Sequence, residues 1–286
     1  MNISREHAKA FLSLTRKKSF SAASEFLGIT QAALSIRIQR LEEELQHTLI
    51  IRNKSGAGLT EAGKKLLVYC EMIEELEREF LDDFKDDAKV LKGTVRIGAF
   101  STVGRSIVLP AFQNFLRENS EVHFNYLMKE LTELPDLLMS AEIDFVFLDQ
   151  PLKKEGIVSI YLGDEEYVMI SSKTHTSNQE IFLNHDEKDL MSYRYFAHLK
   201  QPVKQLKRKY LDEIYSVIDG VAEGWGVSVL PEHLVKGDKR IKIVQPKKRF
   251  NSPVYLCFRT KPYYSQVFKA ALELLKKEIP KRLKKN

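Results

Sequence analysis

A chain of 286 residues, 43% of them hydrophobic, is long enough to bury more than one core. It holds no run of about 18 apolar residues and turns polar at once after Ile3, so the expectation is a cytoplasmic protein with no membrane partner and no signal peptide. The net charge of +6 and the pI near 9.0 are unevenly spread: residues 1–60 carry nine Lys and Arg against five Asp and Glu, whereas residues 61–91 carry five against ten. A basic head followed by an acidic segment points to a head that meets a polyanion.

In chain order, residues 4–45 read as three short helices. Ala10, Phe11 and Leu14 line one face of the first, which ends in Arg16-Lys17-Lys18. Ser21 is the expected N-cap of a second helix, Ala22 to Leu27, stopped by Gly28. Thr30 caps a third that begins at Gln31, where Leu34, Ile38, Leu41 and Leu45 form one apolar stripe. Two helices joined by a short glycine turn have the geometry of a helix-turn-helix. Leu49-Ile50-Ile51-Arg52 reads as a strand, residues 53–58 as the tip of a hairpin or wing, and Leu59-Thr60 as the way out.

A long helix over residues 60–90, capped by Thr60, places Leu66, Tyr69, Ile73, Leu76 and Phe80 at spacings of three and four. Such a seam packs along a partner helix, as a dimerisation helix would, or docks on its own domain. From residue 92 strands alternate with helices: a strand at Thr94–Phe100, a helix at Leu109–Leu116, a strand at Val122–Met128, a helix at Leu131–Ser140 and a strand at Ile143–Leu148. This βαβαβ order implies a parallel sheet covered by helices. A second lobe is expected from about Tyr167, with a helix at Ile214–Glu223 and a strand at Val227–Leu230. Val254–Phe258 returns to the first lobe, and Gln266–Lys277 closes the chain as a helix whose basic end suits a solvated C-terminus. Cys70 and Cys257 stand far apart and read as buried, reduced fillers.

Five segments, in order and at matching spacing, resemble the LysR-type transcriptional regulators. They are Phe20-Ser21-Ala22-Ala23, Thr30-Gln31-Ala32-Ala33-Leu34-Ser35, Leu41-Glu42-Glu43-Glu44-Leu45, Leu49-Ile50-Ile51-Arg52 and Leu59-Thr60-Glu61-Ala62-Gly63. Gly93–Gly98 with Leu109-Pro110, Ile143-Asp144 and Gly224–Pro231 are similar to the family's effector half, with a gap around residues 172–212. The resemblance implies an α/β chain with an α-rich N-terminal winged helix-turn-helix (1–60), a linker and dimerisation helix (61–91) and a two-lobed, periplasmic-binding-protein-like effector domain (92–286). Gln46 stands where the family has glycine, so the third helix runs on or closes in a strained turn. The stretch from Asp189 to Gly224 is short for the family, which predicts a second lobe lacking a helix.

With the leucine stripe inward, the opposite face of the third helix carries Ala32, Ser35, Ile36, Gln39 and Arg40, with Gln31 at its start and Arg37 on its flank. Small residues at a helix N-terminus allow close entry to a major groove, Gln and Arg pair with base edges or phosphates, and Ile36 either packs on thymine methyls or is a stray surface residue. Thr30, Arg52 and Lys54 complete the expected DNA contacts. For an effector, the loop Ser101-Thr102-Val103-Gly104-Arg105 offers hydroxyls, N–H groups and a cation suited to an anion or carboxylate. Asp149, Gln150, His198 and Gln201 either line the same cleft or are ordinary loop residues. The expected partners are double-stranded DNA with a dyad operator, a second or further copies of the chain, a small and anionic effector, and RNA polymerase. The alternative is a LysR-like DNA-binding protein whose degenerate effector half only oligomerises. No metal spacing, P-loop, G-x-S-x-G motif or nucleophile–base pair is legible, so neither an enzyme nor a cofactor is expected.

Overall fold

The computed structural model describes residues 3–53, 56–84, 90–201 and 203–284, and the chain divides into two units, residues 1–86 and 87–286. In the first unit, α1 (Arg5–Lys17) buries Ala10, Phe11, Leu12 and Leu14. Helix α2 (Phe20–Leu27) starts two residues before the expected Ala22. Its cap is the Ser19 hydroxyl, which accepts from Ala22 N–H at 3.4 Å, and not Ser21. Phe20 packs against the head's core, which draws the first turn back to that residue. Helix α3 (Gln31–Leu45) is capped by Thr30, whose hydroxyl accepts from Ala33 N–H at 3.1 Å, and it buries Leu34, Ile38 and Leu41. Gln46 closes it at φ 54°, so of the two expected outcomes the strained turn is the one found.

The wing is an antiparallel pair, β1 (Ile50–Asn53) and β2 (Gly56–Leu59), in register from Ile50 opposite Leu59 to Asn53 opposite Gly56. Lys54 lies outside the described residues. Thr60 caps α4 (Glu61–Phe84) by accepting from Gly63 N–H at 2.9 Å. The proposed seam of α4 divides: Leu66, with Cys70, is part of the head's own core, whereas Tyr69, Ile73 and Phe80 are about half exposed. Spacing alone could not separate the two roles: the first turns of α4 join the apolar core, and later ones meet α1 through the ion pairs Arg16–Glu74 at 2.6 Å and Arg5–Glu77.

The second unit opens with β3 (Gly93–Ala99), which pairs in parallel with β4 (Val122–Met128) and β5 (Phe145–Leu148). Residues 101–105, expected as a loop, are helical. Helix α5 (Ser101–Val103) runs through a π turn at Gly104–Val108 directly into α6 (Leu109–Glu118). Gly104 permits this because the Tyr126 hydroxyl occupies the space beside it, where a Cβ would lie only 1.7 Å away. Helix α7 (Leu134–Met139) is shorter than expected.

Two strands carry the chain between the lobes, β6 (Ile157–Ser172) and, after the second lobe, β11 (Phe250–Arg259). Between them come β7 (Ile181–Asn184), α8 (Met191–His198), β8 (Lys207–Tyr210), α9 (Ile214–Ala222), β9 (Ser228–Pro231), α10 (Glu232–Val235) and β10 (Ile241–Val244). The stretch from Asp189 to Gly224 holds α8, and the helix expected at Ile214–Glu223 is α9. Helix α11 (Gln266–Lys284) runs past the expected end at Lys277 and contains Pro280. Lobe I packs α6 and α11 on β3, β5 and the adjoining halves of β6 and β11. Lobe II has separate cores, one around Val168, Val217 and Leu230 and one around Tyr167, Tyr195 and Val229. Separate cores joined by two strands are the construction of a closing clamp.

Candidate functional site

Helix α3 presents its outward face as the leucine stripe dictates. Thr30, Gln31, Ala32, Ile36, Gln39 and Arg40 are exposed, and Ser35 and Arg37 are half-buried. Ala32 adds little bulk at the helix N-terminus. Two of the expected contacts are held by the protein: Arg37 pairs with Glu6 at 3.1 Å, and Gln39 donates to Glu43 at 2.9 Å. Ile36 is 51% exposed with no core to join. The wing is fixed to α3 from within the head, since Glu42 accepts from Leu49 N–H at 2.7 Å and Ile50 N–H at 3.1 Å. That device was not read from the sequence, although Glu42 lies in one of the matching segments.

In the second unit the ends of the parallel strands face lobe II. Ser101 lines a cavity of about 150 Å³ with Met128, Lys129 and Glu130 from lobe I and His185, Asp212, Glu213 and Ile214 from lobe II. Asp149 and Gln150 line another, of about 350 Å³, against Leu131, Pro135 and Leu148. Thr102 is buried. His198 and Gln201 line neither cavity. His198 stacks edge-on against Phe250 at 5.5 Å, and Gln201 accepts from Lys248 at 3.4 Å.

The cavity beside Ser101 is acidic. Glu130, Asp212 and Glu213 outnumber Lys129, which is paired with Glu133 at 3.5 Å, while the Glu213 carboxylate caps α9 by accepting from Tyr215 and Ser216 N–H at 2.8 and 3.0 Å. Arg105, the cation invoked for an anionic ligand, lies over the Tyr215 ring at 3.9 Å. An anion entering here would meet carboxylates. Burial pushes the Tyr215 phenol up from its ordinary range, and raises the nearby Tyr126 phenol to about 12, so both remain neutral donors.

Residues 6–64 match the family model of bacterial regulatory helix-turn-helix proteins of the lysR family, and residues 88–280 match the LysR substrate binding domain. The chain belongs to the LysR family. This LysR-type regulator is 24% identical over 243 residues to the HTH-type transcriptional regulator YofA of Bacillus subtilis, covering 81% of this chain and 82% of that protein. It is 29% identical over 245 residues to the nitrogen assimilation regulatory protein nac of Klebsiella aerogenes, covering 81% and 79%. Its fold is similar to ArgP from Mycobacterium tuberculosis, with a TM-score of 0.79 at 17% identity over 96% of this chain and 97% of that one. It is likewise similar to full-length LysG of Corynebacterium glutamicum with bound effector Arg, at TM-score 0.72 and 17% identity over 100% and 99%. The chain is thus a DNA-binding transcription regulator with an effector-binding domain, and no helix of its described residues is long and apolar enough to cross a membrane.

One constellation in this LysR-type regulator escaped sequence reading altogether. Ser106 Oγ lies 2.8 Å from His233 Nδ1, and His233 Nε2 lies 2.8 Å from Glu165 Oε1. A serine and a histidine thus lie within hydrogen-bond reach, the Ser106 hydroxyl also donating to the Thr102 carbonyl at 2.8 Å. The His233 and Glu165 side chains are only 3% and 1% exposed, so the imidazole is shut away from substrates. The three residues stand 127 and 68 positions apart, beyond the reach of any local motif.

Proposed function

We propose that this regulator reads a dyad operator through α3 of two paired heads and that a small amine- or guanidinium-bearing molecule, held between the effector lobes, controls it. Gln31, Ala32, Ser35, Ile36 and Arg40 face the bases, while Thr30, Arg37, Gln39, Arg52 and Lys54 serve the phosphates. The chain acts in the cytoplasm, without catalysis, in three parts: the head at 1–60, the linker helix at 61–91 and the effector domain at 92–286. Tyr69, Ile73, Leu76 and Phe80 pair the linker helices of two copies, Leu66 having been drawn into the head. A second pairing through the effector domains would make a tetramer, and RNA polymerase is the further partner.

The observation that carries the reading is the division of α3 into a buried leucine stripe and an exposed face with small residues at its N-terminus. The ligand class is supported by the three carboxylates around the cavity at Ser101. That LysG was solved with Arg makes arginine the first probe.

Genomic fragments are selected at graded salt with wild type, Gln31→Ala and Arg52→Ala. Gln31→Ala erodes the preference for the selected fragment, and Arg52→Ala weakens all fragments and lowers the salt slope by about one. A Gln31→Ala protein that keeps full preference overturns the recognition face. Calorimetric titration with L-arginine and with succinate tests the ligand class. Succinate binding where arginine does not would reverse it, and binding of neither would favour an effector half used only for assembly.

A further inference from the structure

The two lobes touch through contacts of unequal kind. At the mouth of the cleft, Asp149 pairs with Arg194 at 3.4 Å and Glu130 approaches His185 at 3.9 Å, with Arg194 and Glu130 both more than half exposed. Exposed pairs of this sort are screened and contribute little. Deeper in, the contact is a dry chain. Ser106, in the π turn of lobe I, meets His233 on α10 of lobe II, and His233 meets Glu165 on β6. The second oxygen of Glu165 accepts from the Tyr167 phenol at 3.3 Å, and the Ser106 hydroxyl also lies 2.8 Å from the Thr102 carbonyl.

The chain's position matters as much as its burial. Strands β6 and β11 connect the lobes, and their pairing slips by one residue between Val254 and Tyr255. Opposite the slip is Gly163, at φ 141°, a conformation that favours glycine. Glu165 is two residues beyond that bulge. A bond from Glu165 through His233 to Ser106 therefore ties lobe I to lobe II immediately beside the place where the connecting strands are most easily bent.

We infer that Glu165, His233 and Ser106 form the latch that sets the closure of the two effector lobes about the Gly163 bulge. Opening the lobes breaks the Ser106–His233 bond and admits water to a carboxylate and an imidazole that the closed form keeps dry. The latch follows from the fold and does not depend on which ligand occupies the cleft.

The test is the labelling rate of a thiol placed behind the latch by Thr102→Cys in the full-length chain, followed peptide by peptide with a disulfide reagent. Thr102 is buried beside the latch in the closed form, and native Cys257, in the lobe I core, reports global unfolding in the same tube. Ser106→Ala added to this background should speed labelling at position 102 about tenfold, the equivalent of one buried hydrogen bond, while Cys257 is unchanged. Ser106→Thr keeps the hydroxyl and should restore the slow rate. Asp149→Asn, which breaks an exposed cross-lobe pair, should change the rate less than about twofold. Ser106→Ala carries the test because His233→Leu would strand a buried carboxylate and endanger the fold. The latch is overturned if Ser106→Ala leaves the rate at position 102 unchanged, or raises it only in step with Cys257. It is equally overturned if Asp149→Asn accelerates labelling as much as Ser106→Ala does.

Discussion

Replacing Glu42 with alanine should loosen the wing and melt the head while sparing the effector unit. One carboxylate oxygen, Oε1, accepts from two consecutive amides, Leu49 at 2.7 Å and Ile50 at 3.1 Å, and both residues are buried. Alanine leaves both N–H groups without their side-chain acceptor at a partly buried site. Bonds to a charged acceptor contribute about 1.5–3 kcal/mol each, and a stranded buried amide costs about 1–3 kcal/mol. Partial hydration of the half-exposed site reduces the sum, so the expected loss is about 2–4 kcal/mol, a large share of what a domain of this size possesses. For a unit of this length that corresponds to a fall in midpoint of roughly 10–20 °C.

The protein contains its own control for this experiment. Its single tryptophan, Trp225, lies in the second unit, so fluorescence follows the effector domain while far-UV circular dichroism follows both. Glu42→Ala should move a helical transition to lower temperature and leave the fluorescence transition in place. Glu42→Gln retains a carbonyl acceptor and should lose about half as much. If Glu42→Ala melts within about 3 °C of wild type, the assumed cost of stranding these amides is wrong. If both transitions fall together, the two units do not unfold separately.

Gly63→Ala should unfold the head outright, since its Cβ would lie 2.2 Å from the Leu49 carbonyl oxygen, a backbone atom that cannot step aside; a folded head by circular dichroism would contradict this. Gln46→Gly should stabilise by about 0.5–1 kcal/mol, because position 46 holds φ 54° at the end of α3. A lowered midpoint in denaturant titration would show that the Gln46 side chain contributes more than its backbone strain costs. Burial raises the Cys70 thiol to about 11, and burial likewise pushes Cys257 up, so the reactive thiolate is scarce near neutral pH. Neither native thiol should react with a disulfide reagent at about pH 8, and both should react on denaturation; rapid labelling of folded protein would disprove the burial.

What was legible in the sequence was local. The leucine stripe of α3, the Thr30 and Thr60 caps and the parallel β3–β4–β5 core each follow from residues within a few positions of one another. Errors arose where a distant partner decides. Ser19 displaced Ser21 as a cap because Phe20 has a core to join. Residues 101–105 looked like a loop because they lack apolar periodicity. They became helix where the Gly104 backbone passes the Tyr126 hydroxyl from another strand. Leu66 fitted a pairing seam by spacing, yet whether a seam meets its own domain or another copy is not written in spacing. The sequence could not place Asp212 and Glu213 beside Ser101, since they reach that cavity only through the fold of lobe II.

The size of the cavity and the strength of the latch constrain one another. A ligand shifts the lobes only by the ratio of its affinities for the closed and open forms. A ligand in the cavity of about 150 Å³ would make few contacts, and those able to discriminate would reach both lobes at once, Ser101 and Glu130 on one side and Asp212 and Glu213 on the other. Such a site supplies a modest ratio. A latch worth about tenfold is of comparable size, as one buried hydrogen bond should be. If the latch were much stronger, the lobes would stay closed with the cleft empty and the ligand would change nothing. If the lobes were held only by the exposed pairs at the mouth, closing them would consume most of the ligand's binding energy. A latch of one serine hydroxyl on a buried imidazole would keep the two forms within reach of a weak and small ligand.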